Sequence, residues 1–337
     1  MKVLLLTPSP SHLHLGSSGT VRRWRDALMR RGHLCEVFGL SEEGGLKQSL
    51  EGTIGRFKPD LVHAHDAYRM GVPILGLRMK WVVSVSGEDF HEKMLDEQHG
   101  PVLCEVFRRA HRVLVPGPET RRLMEQRVPD TVAKIDVVPR GVSKFETSGT
   151  DLRRSLGIPK SRFLVLLPGG LRPIKGQHRA MSLARILRGT GLDAEVILIG
   201  PEQDGEYATT LKELAHKEPG VRILPALSNE RMGAAYLDAD VVLNTSLSEG
   251  QSPVILEAGM LGRPVVASNV PGNQELIRHR ETGLLFEDEE SMARCVLALA
   301  RNRSAAGALG VRMREEFTRR FDPEIETDGL LSAYAAA

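Results

Sequence analysis

The stretch DVVLNTSLSEGQSPVILEAGMLGRPVVAS, residues 240–268, contains two apolar runs separated by a helix-like segment. The first run, at 240–245, and the second, at 264–268, both have the length of a strand. Between them, Ser252 can cap a helix, Pro253 suits its first position and Gly262 suits its end. The stretch is therefore predicted to form a β-α-β unit whose parallel strands are buried on both faces.

The same alternation of short apolar runs and amphipathic segments extends along all 337 residues. It predicts two series of buried parallel strands, which is the pattern of the α/β class. The predicted strands are 3–7, 35–40, 61–65, 82–86, 112–116 and 135–139, then 163–168, 195–200, 221–225, 240–245, 264–268 and 283–286. We expect two Rossmann-like parallel-sheet domains that face each other across a cleft, because doubly wound sheets bind ligands at their strands' carboxyl ends.

A polar stretch at 141–159 separates the two series and is predicted to be an interdomain linker. The expected boundaries follow from it. We predict an N-terminal domain at 1–145, a C-terminal domain at 146–318, and a C-terminal helix at 319–337 that packs back on the N-terminal domain.

The composition excludes several classes of protein. Hydrophobic residues make up 41% and charged residues 26%, which is typical of globular domains, and the net charge of +2 is too small to predict a nucleic-acid partner. Cys35, Cys104 and Cys295 are odd in number and far apart, so neither a disulfide framework nor a zinc site is expected. Apolar runs of strand length and the lack of a signal-like N-terminus predict a cytoplasmic chain.

Arginines cluster in the first half of the chain, in the groups Arg22, Arg23, Arg25, Arg30 and Arg31; Arg108, Arg109 and Arg112; and Arg121, Arg122 and Arg127. Such clusters at helical spacing are most often solvated helix faces. The alternative interpretation is a basic surface that makes peripheral contact with anionic lipid or with an anionic acceptor.

The loop SLSEGQSP carries the strongest local signal for chemistry. Glu249 follows a predicted strand, and Glu257 lies one turn inside the helix that begins at Pro253. The helix start offers backbone N–H groups to a diphosphate, and the two carboxylates can accept hydrogen bonds from sugar hydroxyls. Either glutamate alone would more often be a surface residue or a partner of the helix dipole.

Two further loops follow predicted strands. In LLPGGLRPIKGQ, residues 166–177, Arg172 and Lys175 come after a glycine turn and are suited to neutralise a pyrophosphate. In PSPSHLHLGSSGT, residues 8–20, Gly16 and Ser17 come just before a predicted helix, where the backbone can approach a ligand closely. A solvated basic turn and a plain strand-to-helix turn are the simpler interpretations of these two loops.

Together, the glycine turn ending in Lys175-Gly176 and the Glu249 to Glu257 segment resemble the retaining family 4 glycosyltransferases, also called group 1. PGNQELI at 271–277 and ETGLLF at 281–286 are similar to later landmarks of that family. The resemblance covers essentially the whole chain. It implies a GT-B architecture with an acceptor-side N-terminal domain and a C-terminal domain that binds the nucleotide-sugar donor.

The resemblance also implies the site residues. Arg172 and Lys175 would bind the diphosphate, Glu249 would face the donor sugar, and these three would be catalytic; Glu257 would accept from the ribose hydroxyls. Backbone N–H groups would come from the loop and the start of the helix. The full set of implied donor-binding residues is Gly16, Ser17, Gly170, Arg172, Lys175, Gly200, Glu249, Gly250, Gln251, Ser252, Val254 and Glu257.

Two departures from the family pattern matter. The usual Gly-Arg-Leu turn has Gly170 at the arginine position, and Arg172 would stand in for it. Many members carry His-Gly on the acceptor side, where this chain has Ser86-Gly87. The role of that histidine therefore does not carry over, and His65, Ser86 and Asp89 are the acceptor-side candidates. Similar departures occur in the glycosyltransferase 1 domain-containing proteins and the selenosugar synthases.

The implied reaction is a retaining transfer from a nucleotide-diphosphate sugar, with a UDP-sugar expected first and a GDP-sugar second. The acceptor would be a small molecule, a lipid, or a thiol or selenol. Neither a metal nor a cofactor is expected, since Asp238-Ala239-Asp240 precedes a strand and lies at the wrong edge of the sheet. The alternatives are a nucleotide-sugar epimerase of the same architecture and a non-catalytic nucleotide-sugar-binding protein.

Overall fold

Two parallel sheets organise the chain in the computed structural model, which describes residues 1–8, 17–39, 46–142 and 151–337. The chain divides into a first unit, Met1–Ser143 with Phe321–Ala337, and a second unit, Lys144–Arg320. Each of the twelve predicted strands is present, with its ends within two residues of the predicted ones. The prediction of an α/β chain with two Rossmann-like domains is therefore confirmed.

The first unit is a doubly wound sheet with the strand order β2-β1-β3-β4-β5-β6. Its strands are β1 (Lys2–Thr7), β2 (Leu34–Gly39), β3 (Leu61–His65), β4 (Trp81–Ser84), β5 (Arg112–Val115) and β6 (Ile135–Val137). Its helices are α1 (Ser17–Arg30), α2 (Leu46–Phe57), α3 (Gly87–His91), α4 (His99–Arg109), α5 (Pro118–Arg127) and, from the C-terminus, the helix Pro323–Ala336.

Alternate residues of β1 build the cores on the two faces of this sheet, as the period of two in a strand requires. Val3 and Leu5 join the cluster that contains Trp24 of α1 and Leu330 of the C-terminal helix. Leu4 and Leu6 join the opposite cluster, which is covered by α4 and α5. Burial on both faces explains why β1 is an unbroken apolar run.

Arg23 of α1, and Arg31 directly after α1, are paired with carboxylates of the C-terminal helix. Arg23 forms two hydrogen bonds of 2.9 and 3.0 Å with Glu326, and Arg31 contacts Glu324 and Asp328 at 2.8 and 3.0 Å. In the later clusters, Arg108 pairs with Asp130, Arg109 with Glu105, Arg112 with Asp136, Arg121 with Glu125 and Arg122 with Glu119. An anionic lipid surface would have to compete with these partners.

A buried aromatic and histidine cluster lies where α1, β3 and the C-terminal helix meet. The rings of Trp24 and His63 stack with centroids 4.7 Å apart, and Tyr334 and Ser84 each place a hydroxyl 2.7 Å from a ring nitrogen of His63. Burial lowers the pKa of His63 to about 3. The ring is therefore neutral near pH 7, and protonating it requires a charge to enter the core.

The second unit is also doubly wound, with the order β12-β11-β10-β7-β8-β9. Its strands are β7 (Phe163–Pro168), β8 (Ala194–Ile199), β9 (Val221–Leu224), β10 (Val241–Asn244), β11 (Val265–Ser268) and β12 (Leu284–Phe286). Its helices are α6 (Leu152–Leu156), α7 (Arg179–Gly189), α8 (Gly205–Lys217), α9 (Asn229–Asp238), α10 (Pro253–Met260), α11 (Pro271–Gln274), α12 (Glu289–Arg301) and α13 (Arg303–Arg320); the helix Pro323–Ala336 is then α14.

The predicted linker at 141–159 includes a short helix, α6. Residues 143–150 lie outside the described part of the chain, but Asp151 caps α6, which belongs to the second unit. Leu152 and Ile158 are buried, and Arg153 donates to the carboxylate of Asp240 at 2.7 Å. The polar composition of this stretch concealed a short helix whose few apolar residues pack on the sheet.

In the part of the chain that the structure describes, no helix has both the length and the apolar character needed to cross a membrane.

The buried histidine predicts a pH dependence of stability. The pKa of His63 is about 3 in the folded chain and 6.5 ordinarily, so the unfolded state binds more protons and stability falls as the pH drops below 6.5. Between pH 7 and pH 5 this effect is expected to remove about 2 kcal/mol from the free energy of unfolding. Urea titrations should show that His63→Gln is less stable than wild type at pH 7. Between pH 7 and pH 5, however, the variant should lose less of its free energy of unfolding than wild type does. Equal losses of stability in wild type and variant would contradict the lowered pKa of His63.

Candidate functional site

The carboxyl ends of β7 and β10 lie side by side in the second unit, since these strands are hydrogen-bonded neighbours. The turn after β7 is attached to the loop after β10. Thr245 donates its hydroxyl to the carbonyl of Lys175 at 2.7 Å, and the Leu247 N–H donates to the carbonyl of Ile174 at 2.8 Å. Gly176 has a φ of +60° and passes so close to Thr245 that a Cβ would lie 2.5 Å from its carbonyl oxygen. Only glycine fits this crossing.

This attachment places Lys175 against Glu249. The Lys175 Nζ lies 2.7 Å from Glu249 Oε1, which also accepts from the Ser246 hydroxyl at 2.7 Å and from the Asn244 amide at 3.2 Å. Burial pushes the pKa of Glu249 upward, but the charge of Lys175 and the three hydrogen bonds outweigh it and leave the pKa lowered. Glu249 is therefore a buried, ionised carboxylate at the carboxyl edge of the sheet.

A polar network extends beneath Glu249. The amide of Asn244 also donates to the Ser252 hydroxyl at 3.0 Å, and the amide of Asn273 donates to Asn244 Oδ1 at 3.1 Å and to the Ser268 carbonyl at 3.0 Å. Gly272 lies directly against the carbonyl of Glu249, which leaves no room for a side chain. The network therefore joins the ends of β10 and β11 and holds the Glu249 loop in place.

Sequence reasoning missed Asn244, Ser246 and Asn273 as site residues. Asn244 ends a strand and Asn273 belongs to the motif PGNQELI, so both carried a signal in their position. Their contact depends on β10 and β11 being neighbours, which lies beyond local sequence patterns.

Helix α10 begins beside this network. Ser252 occupies the N-cap position and Pro253 the first helical position, as predicted, but the Ser252 hydroxyl makes no capping hydrogen bond and instead accepts from Asn244. The N–H groups at the helix start are thus left to other acceptors. Glu257 is half-buried one turn inside the helix, and its Oε2 accepts from the hydroxyl of Tyr236 at 2.6 Å.

The remaining donor-side residues of the second unit lie around the same edge. Gln251 is buried, and Gly250 and Val254 are half-buried, all three flanking or opening α10. Arg172 is half-buried and directly precedes the single turn Pro173–Lys175. Gly200 follows β8 and lies against the carbonyl of Gly169. The structure therefore gathers most predicted donor-binding residues at one edge of the second sheet.

Gly170, which stands at the arginine position of the family pattern, lies against the side chain of Gln203. A Cβ at Gly170 would collide with the side chain of Gln203, which occupies the space next to this turn. The amide of Gln177 fixes the turn by donating to the carbonyl of Gly170 at 2.8 Å. An arginine at position 170, as in the family pattern, would require Gln203 to move.

The first unit contains the predicted site residues Gly16, Ser17 and His65, and also Ser86 and Asp89. Gly16 lies outside the described residues, and Ser17 is the first residue of α1. His65 ends β3 and is buried beside a cavity of about 30 Å³ that Trp24, Ser84, Arg140 and Glu326 also line. Burial, followed by the charge of Arg140, lowers the pKa of His65 well below its usual value, so its ring is neutral.

Asp89 has a structural task. Its carboxylate accepts N–H groups from Ala67, Tyr68 and Ser86, each at 2.8 Å, and the residue is 1% exposed. The Ser86 hydroxyl accepts from the Asp89 N–H at 3.2 Å. In this arrangement burial and three donors make the side chain a clamp between two loops, and its place on the acceptor side stays a prediction.

The acidic pair Asp238 and Asp240 lies at the amino end of β10, as predicted from its position before the strand. Asp240 accepts from the Leu164 N–H at 2.8 Å and from Arg153 and Arg303 at 2.7 Å each. Over the described ranges, no three His, Cys, Asp or Glu side chains are grouped as ligands of a metal ion.

Two doubly wound sheets, one with a buried Lys-Glu pair and a helix start at its carboxyl edge, define an α/β protein of the GT-B class. The chain matches the family described as glycosyl transferases group 1 over residues 149–316, and glycosyltransferase family 4 over residues 43–144. The chain belongs to the group 1 (family 4) glycosyltransferases and is a glycosyltransferase enzyme. The expectation from the motifs is confirmed at this level.

Relatives and solved structures agree with this assignment. The chain is 27% identical over 293 residues to glycosyltransferase 1 domain-containing protein 1 of Xenopus tropicalis, a match that covers 85% of this chain and 84% of the relative. It is 32% identical over 212 residues to D-inositol 3-phosphate glycosyltransferase of Corynebacterium urealyticum, a match that covers 52% of this chain and 50% of that relative.

Among solved structures, Anabaena HepE in complex with UDP-glucose superposes with a TM-score of 0.82 at 19% sequence identity, covering 100% of both chains. At this level of identity the likeness shows the fold.

The Lys175–Glu249 pair predicts strong coupling in stability. Lys175→Met leaves the buried Glu249 carboxylate without its cation and should lower the free energy of unfolding by about 3 kcal/mol, whereas Lys175→Met with Glu249→Gln should recover most of that loss. Urea titrations of wild type, both single variants and the double variant would measure the coupling. Additive losses would show that the two side chains do not depend on each other.

Proposed function

We propose that this enzyme transfers a sugar, with retention, from a nucleoside-diphosphate sugar bound by the second unit, and that the donor is a UDP-sugar, with a GDP-sugar as the next choice. The observation that carries the proposal is the buried Lys175–Glu249 pair at the carboxyl edge of β7 and β10, beside the start of α10. The Anabaena HepE structure, a complex with UDP-glucose, supports the donor class.

The cations and the helix start would hold the diphosphate. Arg172 and Lys175 lie in one turn, and α10 begins with N–H groups that Ser252 does not cap. A diphosphate there would accept charge-assisted hydrogen bonds, and the same groups would stabilise the negative charge that grows on the leaving diphosphate. Gly170 and Gly200 would contribute backbone groups to the same site.

The two glutamates would bind the rest of the donor. Glu249 is held through Oε1 by Lys175, Ser246 and Asn244, so its carboxylate has a fixed orientation toward the donor sugar. Glu257 would accept from the ribose hydroxyls. We assign no covalent nucleophile, and catalysis would rest on positioning and on stabilisation of charge.

The reaction is proposed to need neither a metal nor a cofactor. In this scheme Arg172 and Lys175 supply the positive charge at the diphosphate, and Asp238 and Asp240 are engaged by arginines at the opposite edge of the sheet. Retention rests on membership of the family.

The acceptor is proposed to be a small molecule, a lipid, or a thiol or selenol. Ser86 stands where many family members have a histidine, so an acceptor that is already ionised near neutral pH would need least help from a base. On the acceptor side, His65 would contribute a neutral imidazole beside the small cavity of the first unit. The paired arginines of α1 make a lipid bilayer the weaker choice.

Calorimetry with UDP, GDP, ADP and their common sugars tests the donor site. One nucleotide should bind, and Glu257→Ala and Lys175→Ala should each weaken it about tenfold or more, since each removes a hydrogen bond to a charged group. The exposed residues Lys160 and Glu290 provide the matched controls Lys160→Ala and Glu290→Ala, which should bind as wild type does.

Two outcomes would contradict the proposal. The absence of binding to every nucleotide would remove the donor assignment. Conversion of the bound nucleotide sugar without any acceptor, and without release of the nucleoside diphosphate, would instead favour the epimerase.

A further inference from the structure

Tyr236 is a fully buried residue of α9 whose only side-chain polar group contacts the candidate site. It is 0% exposed, and its hydroxyl donates to Glu257 Oε2 at 2.6 Å. Burial, followed by the charge of Glu257, raises the pKa of Tyr236 well above its usual value. The hydroxyl therefore keeps its proton and is a permanent donor to the carboxylate.

This contact differs from an ordinary core hydrogen bond. The other fully buried tyrosine in the described residues that bonds a side chain, Tyr334, contacts His63, which is equally buried. Tyr236 instead reaches from the core to a half-buried carboxylate that is one turn inside α10. A buried hydroxyl thus holds a carboxylate that is itself only partly buried.

The type of hydrogen-bond donor at position 236 matters for Glu257. A lysine or arginine at position 236 would also hold Glu257, but it would neutralise the carboxylate and compete for its lone pairs. A tyrosine hydroxyl occupies one lone pair of one oxygen and leaves the charge in place. A carboxylate offers about four acceptor positions, and the hydrogen bond from Tyr236 uses one of them.

We propose that Tyr236 is a positioning residue that orients Glu257 for the 2′,3′-diol of the donor's ribose, so that the enzyme prefers ribonucleotides to 2′-deoxyribonucleotides. The inference rests on the proposed function, in which Glu257 accepts from that ribose. A glutamate side chain loses rotamer freedom when a ligand fixes it, and the hydrogen bond from Tyr236 removes that freedom before the ligand arrives. The advantage appears only with ligands that use the carboxylate.

The test compares the affinity of UDP with that of 2′-deoxy-UDP, and likewise GDP and ADP with their 2′-deoxy forms, by calorimetry. Wild type should prefer the ribonucleotide by about tenfold or more, the value of a hydrogen bond to a charged group. Tyr236→Phe should weaken ribonucleotide binding about fivefold and leave the deoxyribonucleotide nearly unchanged, so the preference falls by about that factor. Once turnover is measurable, the donor KM should rise with kcat nearly constant.

Tyr334→Phe is the matched control, because it removes a buried tyrosine hydroxyl that belongs to the other unit and contacts His63 there. It should keep the wild-type preference even if its Tm falls as far as that of Tyr236→Phe. Glu257→Ala should bring the ratio of the affinities for UDP and 2′-deoxy-UDP close to one.

A measurement on the wild-type chain avoids dependence on the folding of Tyr236→Phe. The chain has four tyrosines, so ¹³Cζ labelling of tyrosine gives few signals to assign. The Tyr236 signal should shift when UDP binds and shift less with 2′-deoxy-UDP, whereas the Tyr334 signal should stay in place.

The outcomes separate this inference from the proposed function. If wild type binds none of the nucleotides, the proposed function fails. If Glu257→Ala abolishes the preference but Tyr236→Phe keeps it, and the Tyr236 signal responds equally to both nucleotides, only the inference on Tyr236 is overturned.

Discussion

The buried ion pair between Lys175 and Glu249 is the contact on which the candidate site depends. Taking two charges out of water is costly, and the cost is offset only when the geometry is good and further hydrogen bonds satisfy the groups. Both conditions are met, because Ser246 and Asn244 also donate to the oxygen that Lys175 contacts. The pair exists only because β7 and β10, although distant along the chain, are adjacent in the sheet.

 In the register of β10 and β7, Val241 lies opposite Val165, so residues that are distant along the chain become neighbours at one edge of the sheet.

The second sheet supports the site with polar side chains below that edge. Asn244, Ser252 and Asn273 form a buried network that joins the ends of β10 and β11, and Gly272 lies against the Glu249 carbonyl. Such a network rigidifies a site when its members are satisfied. It also explains why Ser252 leaves the start of α10 uncapped, since its hydroxyl is used by Asn244.

The first unit uses its polar residues differently. Asp89 holds two loops through backbone N–H groups, His63 is a neutral ring within the core, and Arg23 of α1 pairs with Glu326 of α14. The contrast with the second unit is one of access. In the second unit the half-buried Glu257 lies one turn inside a helix that Ser252 does not cap, whereas these polar groups of the first unit mostly satisfy one another.

The sequence by itself determined the twelve strands, the α/β class and the motif residues Arg172, Lys175, Glu249 and Glu257, because strand burial, helix starts and glycine turns are local patterns. It also indicated that Asp238 and Asp240 lie at the amino end of β10. It did not reveal α6, whose few apolar residues lie in a polar stretch. Only the tertiary structure decided that Asp89 is a clamp, that Gln203 fills the space beside Gly170, and that Tyr236 and Asn244 hold the two glutamates. These contacts join residues from different strands and helices, and their geometry depends on which strands become neighbours when the sheet forms.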